Sequence, residues 1–388
     1  MDDDGTVTVG GADPRLLDAL RGVVDPELGA DVVELGMVRS VSLEGTTAVV
    51  VIALSIAGCP LRDRIRRDIE GALRALDDVD TVTVELDAMT GEERSALMAR
   101  ARRLAQERAA PTAVPSTTRV LGIVSGKGGV GKSTVAVNLA CALATGGATV
   151  GLLDADIWGF SVPRMLGVTA ALAASGGRIQ PIEVPLGTGR LRVVSMGMLA
   201  GEDDAVMWRG LMLNRAVQHF LEDVEWGEIA YLVVDMPPGT GDVQMGLARM
   251  LPRTELIVVT TPALAAQKVA GRAADMARRS HLRILGVVEN MSAYTGPDGE
   301  EVALFGRGGG ARLADEIGAP LLGTIPLDPA VAAAGDRGEP VAARAGDPSG
   351  AIFRALAHRI VEELVPADLA TCTARLEAAV AEFSPTRR

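Results

Sequence analysis

At 388 residues the chain is long enough for two or more domains, each able to bury its own core without disulfides. Its formal net charge of −12 argues against a general nucleic-acid binder, because such proteins cluster Lys and Arg along the phosphate backbone. The three cysteines, Cys59, Cys141 and Cys372, are odd in number, far apart and free of C-x-x-C spacing, as suits a reducing compartment. The acidic start MDDDGTVTVGGADP lacks the basic and apolar regions of a signal peptide, and no run approaches the roughly 18 apolar residues of a membrane span. A cytoplasmic protein is expected.

In chain order, residues 14–87 carry a small α+β pattern: a helix over PRLLDALRGV, strands over MVRSVSLE and TTAVVVIALSI, a helix from Leu61 to Leu76, and a strand over VDTVTVELD. Residues 91–109 are charged and helix-prone, and APTAVPSTT after them has linker composition. From Thr118, apolar runs of strand length alternate with helical patterns: VLGIVS, ATVGLLD, RLRVVSM, AYLVVDM, ELIVVTT, RILGVVEN and LLGTIP. Continuous apolar strands separated by helices predict an α/β fold with a doubly wound, mostly parallel sheet, whose ligands sit beyond the carboxyl ends of the strands. The expected organisation is a small α+β domain (1–90), a helical linker (91–117), an α/β domain (118–366) and a C-terminal helical tail (367–388).

The most informative stretch is Gly126-Lys127-Gly128-Gly129-Val130-Gly131-Lys132-Ser133-Thr134, which follows a strand, opens a helix and fits the phosphate-loop pattern G-x-x-x-x-G-K-[ST]. Glycines let backbone N–H groups turn inward around phosphate oxygens, and the helix behind adds its positive end. Lys132 is placed for the β and γ phosphates of a nucleoside triphosphate and Ser133 for Mg²⁺. Two buried strands end in acids, at Asp154-Ala155-Asp156 and at Asp235, where Mg²⁺ and an attacking water would be held. Strand-end carboxylates also serve as helix caps, so both readings stand for Asp154. Asn290 closes RILGVVEN with an amide that suits either an adenine edge or a turn.

In the small domain, Cys59 stands before the helix LRDRIRRDIEGALRAL, with Arg62, Arg64, Arg66 and Arg67 close behind. Helix dipole and cations favour a thiolate that could bind iron, while the bland alternative is a small residue at a tight junction. Asp25, in Val24-Asp25-Pro26-Glu27, is likewise open between a turn cap and a functional role. His219, His281 and His358 share no ligand spacing, and Trp158, Trp208 and Trp226 read as packing residues.

Several blocks then converge on a resemblance. KGGVGKST, with its early Lys127, resembles the deviant phosphate-loop ATPases, which implies that Lys127 reaches the partner's nucleotide in an ATP-dependent homodimer. DADIWGFSVPRMLG, MWRG, WGEIAYLVVDMPPGTGD, VVTTPALAA, GVVENMS, LFGRGGG and GTIPLDP, in this order, are similar to the Mrp/ApbC-type iron–sulfur cluster carrier ATPases. DPE, LGMV and GCP in residues 14–87 resemble the iron–sulfur assembly-factor domain, in which the matching positions are Asp25 and Cys59.

The resemblance implies ATP and Mg²⁺ as cofactors and slow ATP hydrolysis. Asp156 would orient water, Asp235 support the Mg²⁺ shell, Asp154 shape a switch loop and Asn290 read the base. It further implies cluster transfer to apoproteins, with neither nucleic acid nor membrane as a partner. One departure stands out: where the family commonly has C-x-x-C after ENMS, this chain has Gly296 and Gly299. Three readings remain: a carrier using Cys59 or its clients' thiols, a nucleotide switch without its own cluster, and a positioning ATPase, for which the tail LEAAVAEFSPTRR is poorly suited.

Overall fold

The structure, a computed structural model, describes residues 13–55, 61–156, 159, 161–198, 210–239, 241–280, 282–296 and 298–364. The chain divides into two compact units after Ala109. The expected tail over 367–388 lies outside the described residues.

The first unit follows the sequence closely. It comprises α1 (Pro14–Leu20), β1 (Val38–Glu44), β2 (Thr47–Leu54), α2 (Arg62–Arg74), β3 (Thr81–Ala88) and α3 (Gly91–Arg108). β2 pairs antiparallel with β1 and parallel with β3. Ile65, Ile69 and Leu73, four residues apart, bury one stripe of α2, while Arg62, Arg64, Arg67 and Arg74 are exposed. They share a core with Leu16, Leu20, Val50 and Ile52.

Helix α3 corrects the expected linker. Its start is a capping box, in which Thr90 Oγ accepts from the Glu93 N–H at 3.2 Å and Glu93 Oε2 accepts from the Thr90 N–H at 2.7 Å. Leu97, Ala101 and Leu104 enter the core of the first unit. Three apolar positions at i, i+4 and i+7 suffice to seat the helix, and the charges between them disguise it as a solvated spacer. The stretch after it belongs to the second unit, where the Ala113 N–H donates to Leu221 O at 2.7 Å and Val114 is buried.

The second unit opens with β4 (Arg119–Ser125), α4 (Lys132–Thr145), β5 (Thr149–Asp154) and α5 (Val162–Met165). Short strands β6 (Ala173–Ser175), β7 (Arg178–Gln180) and β8 (Ile182–Leu186) lead into β9 (Gly189–Ser195). Next come α6 (Gly210–Glu222), β10 (Tyr231–Asp235), α7 (Asp242–Met250), β11 (Glu255–Thr260), α8 (Leu264–Arg279) and β12 (Arg283–Thr295). β13 (Glu301–Val302), α9 (Gly309–Ile317), β14 (Leu321–Leu327), α10 (Pro329–Asp336) and α11 (Pro348–His358) complete it.

Nine of these strands form one sheet in the order β13-β12-β11-β4-β10-β5-β9-β8, with β14 also on β12, while β6 and β7 pair separately. Only the edge strands β8 and β13 run antiparallel to their neighbours. β4 lies mid-sheet between β10 and β11, with β5 beyond β10, so the chain winds outward in both directions from the loop strand. Packed on the sheet, α4 is buried from Val135 to Ala144, which explains an apolar pattern that runs all round the helix.

RILGVVEN was expected to end as a strand at Asn290, but β12 runs on to Thr295. The chain kinks at Met291, whose φ of 56° lies in the left-handed region, and the register with β14 slips between Asn290 and Tyr294. Beyond the kink β12 pairs antiparallel with β13.

If α3 is structural, Leu97→Ala opens a cavity in the first unit and costs about 3 kcal/mol. Urea unfolding followed by hydrogen exchange over residues 13–109 measures it. A change below about 0.5 kcal/mol, typical of exposed positions, would return the helix to a linker role.

Candidate functional site

The phosphate loop leaves β4 at Ser125 and enters α4 at Lys132. It is wedged from two sides. A Cβ on Gly126 would stand 2.2 Å from the Val269 carbonyl carbon, so only glycine lets the loop pass the backbone of α8. Gly131 has φ 81° and caps α4 with no side-chain hydrogen bond, leaving the first N–H groups of the helix available to an anion. Ser125 Oγ donates to Lys127 O at 3.0 Å, and Lys127 is itself exposed.

Lys132 points the other way and is buried, with 6% of its surface exposed. Its ammonium donates to Asp235 Oδ1 at 2.6 Å and lies 3.3 Å from Asp156 Oδ2 and 3.5 Å from Ser133 Oγ. A buried ammonium needs such partners, since desolvation would otherwise outweigh any benefit. Asp235 and Asp154 face each other across β10 and β5 in register. Burial pushes the Asp235 carboxyl up, and the Lys132 charge opposes that shift. Asp154, fully buried, is pushed well above the usual carboxylate range by burial and then by the charge of Asp235.

Asp154 makes two hydrogen bonds. Its Oδ1 accepts from the Asp156 N–H at 3.1 Å and its Oδ2 from Ser195 Oγ at 2.9 Å. This supports the shaping role over a helix cap. Ser195 was missed in sequence; its one signal was that the apolar run RLRVV, like several other runs of strand length, is followed by a polar residue.

Each of the two carboxylates facing Lys132 keeps one oxygen free. Asp156 Oδ1 and Asp235 Oδ2 are buried without a hydrogen-bond partner. Hard oxygens of this kind beside the Ser133 hydroxyl fit Mg²⁺, which takes one or two carboxylates and leaves its other positions to water and phosphate. Among the described residues no group of three or more His, Cys, Asp or Glu is gathered to hold a metal.

Asn290, at the bend of β12, reaches the phosphate loop. Its Nδ2 donates to Val130 O at 2.9 Å, and the side chain packs against Gly131, bracing the loop. A cavity of about 290 Å³ lies along the same helix, between Thr134 and Asn138 of α4, Met165 of α5, and Val331 and Gly335 of α10.

The cluster-binding expectations divide. Cys59 and Cys372 lie outside the described residues, whereas Cys141 is buried inside α4, as expected, and burial pushes its thiol up to about 12. Gly296 and Gly299 form the turn between β12 and β13, closed by N–H···O bonds from Gly296 to Glu300 at 2.9 Å and from Gly299 to Gly296 at 3.0 Å. Asp25 caps its own turn, its Oδ1 accepting from the N–H groups of Glu27 at 2.8 Å and Leu28 at 3.0 Å. His219 pairs with Asp223 on the surface, His358 is exposed, and Trp226 is core, donating Nε1–H to Phe220 O at 3.0 Å. His281, Trp158 and Trp208 lie outside the described residues.

Comparison with known proteins matches this arrangement. Residues 116–361 match the NUBPL iron-transfer P-loop NTPase family, and residues 14–86 match the iron–sulfur cluster assembly protein family. An iron–sulfur cluster carrier protein of Mycobacterium leprae is 45% identical over 337 residues, covering 85% of this chain and 87% of the relative. Its counterpart in Synechocystis is 41% identical over 329 residues, covering 84% and 90%. A solved nucleotide-binding protein of Archaeoglobus fulgidus, in complex with ADP, is 32% identical with a TM-score of 0.50, covering 61% of this chain and 91% of that one. No described helix is long and apolar enough to cross a membrane. With its phosphate loop, its strand-end carboxylates and an assembly-type unit in front, the chain belongs to the iron–sulfur cluster carrier proteins of the NUBPL iron-transfer P-loop NTPase family.

Proposed function

We propose that the chain works as a homodimer that binds ATP with Mg²⁺, hydrolyses it slowly, and uses the cycle to pass iron–sulfur clusters to apoproteins in the cytoplasm. One observation carries the nucleotide half: a buried ammonium, Lys132, held by two carboxylates that each retain an unpartnered oxygen, at the uncapped start of α4. The ADP complex of the related Archaeoglobus protein supports the same ligand class.

The residues divide the work. Backbone N–H groups from Gly128 to Thr134 surround the phosphates, and Lys132 exchanges its carboxylate partners for phosphate oxygens. That exchange frees Asp235 and Asp156. Ser133, Asp235 and Asp156 would hold Mg²⁺, whose chemistry is to neutralise developing charge on the phosphate oxygens. Asp156 also orients the attacking water. The nucleoside lies in the cavity beside Thr134 and Asn138, whose volume of about 290 Å³ is near the lower end for small-molecule pockets. Asn290 steadies the loop while this happens, and Lys127, exposed at the loop's outer edge, is free to reach the nucleotide of the partner subunit.

The cluster is cargo. Cys59 is the thiol we assign to it, in each subunit, because Cys141 is sealed in the core and a glycine turn occupies 296–299. Those two observations also favour a second reading, a nucleotide switch that serves assembly without a cluster of its own.

Lys132→Ala is expected to weaken ATP binding roughly 100-fold, the loss of a charge-assisted contact. Lys127→Ala is expected to bind ATP normally but lose hydrolysis by a factor on the order of 100 and fail to dimerise with nucleotide. Phosphate release and sedimentation test both, and an unchanged Lys127→Ala protein removes the cross-subunit lysine. For the cargo, anaerobic reconstitution with iron and sulfide should give a chromophore in the native protein that disappears in Cys59→Ser. No bound iron in either protein, with ATP turnover intact, selects the switch.

A further inference from the structure

Three strands of the sheet end side by side on polar residues. Asp235 of β10 is in register with Asp154 of β5, and Asp154 with Ser195 of β9. Asp235 meets Lys132 directly, but Ser195 touches no group assigned to the nucleotide. It is fully buried, and its hydroxyl is used in both directions: it accepts from the Gly197 N–H at 3.1 Å and donates to Asp154 Oδ2 at 2.9 Å. The other oxygen of Asp154 accepts from the Asp156 N–H at 3.1 Å. The series therefore runs Gly197 N–H, Ser195 hydroxyl, Asp154 carboxyl, Asp156 N–H.

Asp156 lies just past the end of β5, where the sheet's ladder no longer fixes the backbone except for one bond, from the Ala155 N–H to Asp235 O at 2.9 Å. A second anchor is needed if its carboxylate is to stay 3.3 Å from Lys132 Nζ with Oδ1 kept free. Asp154 supplies that anchor, but a carboxyl bonded on one side only can turn about its own χ2 axis. Bonded on both sides it cannot.

We propose that Ser195 is a positioning residue for hydrolysis: by fixing the Asp154 carboxyl it fixes the backbone of Asp156, and so the direction in which the Asp156 carboxylate presents its free oxygen. The proposal rests on the ATPase reading for its kinetic part only, since the hydrogen-bond series involves groups of the chain alone. Phosphate contacts come from α4 and the loop, which Ser195 does not touch. Its loss should therefore slow turnover without weakening nucleotide binding, a split that a residue supporting the core alone would not give.

The test compares full-length native protein with Ser195→Ala and Ser195→Thr. In Ser195→Ala the kcat for ATP is expected to fall roughly tenfold, the scale of one buried hydrogen bond, with KM within about twofold of native. Ser195→Thr keeps the hydroxyl and is expected to recover most of the rate. In nucleotide-free protein, amide exchange at Asp156 should quicken in Ser195→Ala, stay near native in Ser195→Thr, and leave β4 and β10 unaffected. Unchanged exchange at Asp156 in Ser195→Ala overturns the proposal by itself, whatever the kinetics. Loss of rate, affinity and protection across the sheet in both variants overturns it in favour of core packing. A native protein that turns over no ATP would sink the hydrolysis reading instead, and the exchange comparison would still decide whether Ser195 anchors Asp156.

Discussion

A positive charge buried at the head of α4 sets the terms for the rest of the second unit. Lys132 leaves water because it belongs to a helix that is buried almost all round, and its ammonium must then be met by anions. Those anions are Asp235 and Asp156, from the ends of β10 and β5. The pairing depends on β10 standing between β4 and β5, and the ammonium lets two carboxylates tolerate each other in a space where burial opposes ionisation. It also gives nucleotide binding an exchange character. Phosphate oxygens would take over a partnership that already exists, with no need to create a new buried charge.

Much of this was legible in the sequence because it is local. The loop's glycines, its lysine and its serine occupy fixed offsets, and backbone sterics tie those offsets to one geometry. Less was legible where partners are distant. Lys132 and Asp235 are separated by 103 residues and Asn138 and Ala342 by 204, and only the packing of α4 against other elements brings each pair together. Ser195 gave no motif because a serine closing an apolar strand has meaning only beside the strand it adjoins. Asn290 is a related case: an amide after a strand can read a base or hold a loop, and only the fold shows that its Nδ2 donates to Val130 O, 160 residues away. In α3 a three-residue apolar stripe was masked by charge.

Engine and cargo differ in how they are built. The nucleotide parts are buried, mutually bonded and drawn from the centre of the sheet. The segment where the resemblance implied cysteines is instead a turn between β12 and a two-residue edge strand. Little of the sheet's packing depends on its side chains. A change from cysteine to glycine there can leave the phosphate loop undisturbed, so membership of the carrier family and the manner of holding a cluster need not change together.

The register row Asp235, Asp154, Ser195 has one more consequence, for which kinds of genetic change the domain can accept. Side chains alternate between the two faces of a strand, so adding or removing one residue anywhere along β10, β5 or β9 would swing the terminal polar group to the opposite face and bring an apolar neighbour into its place. Substitutions at these positions alter a single contact; length changes in the strands would dismantle the row. Insertions in this part of the chain should therefore be confined to the connections, and the strands behave as rulers whose lengths are held more strictly than most of the letters written on them.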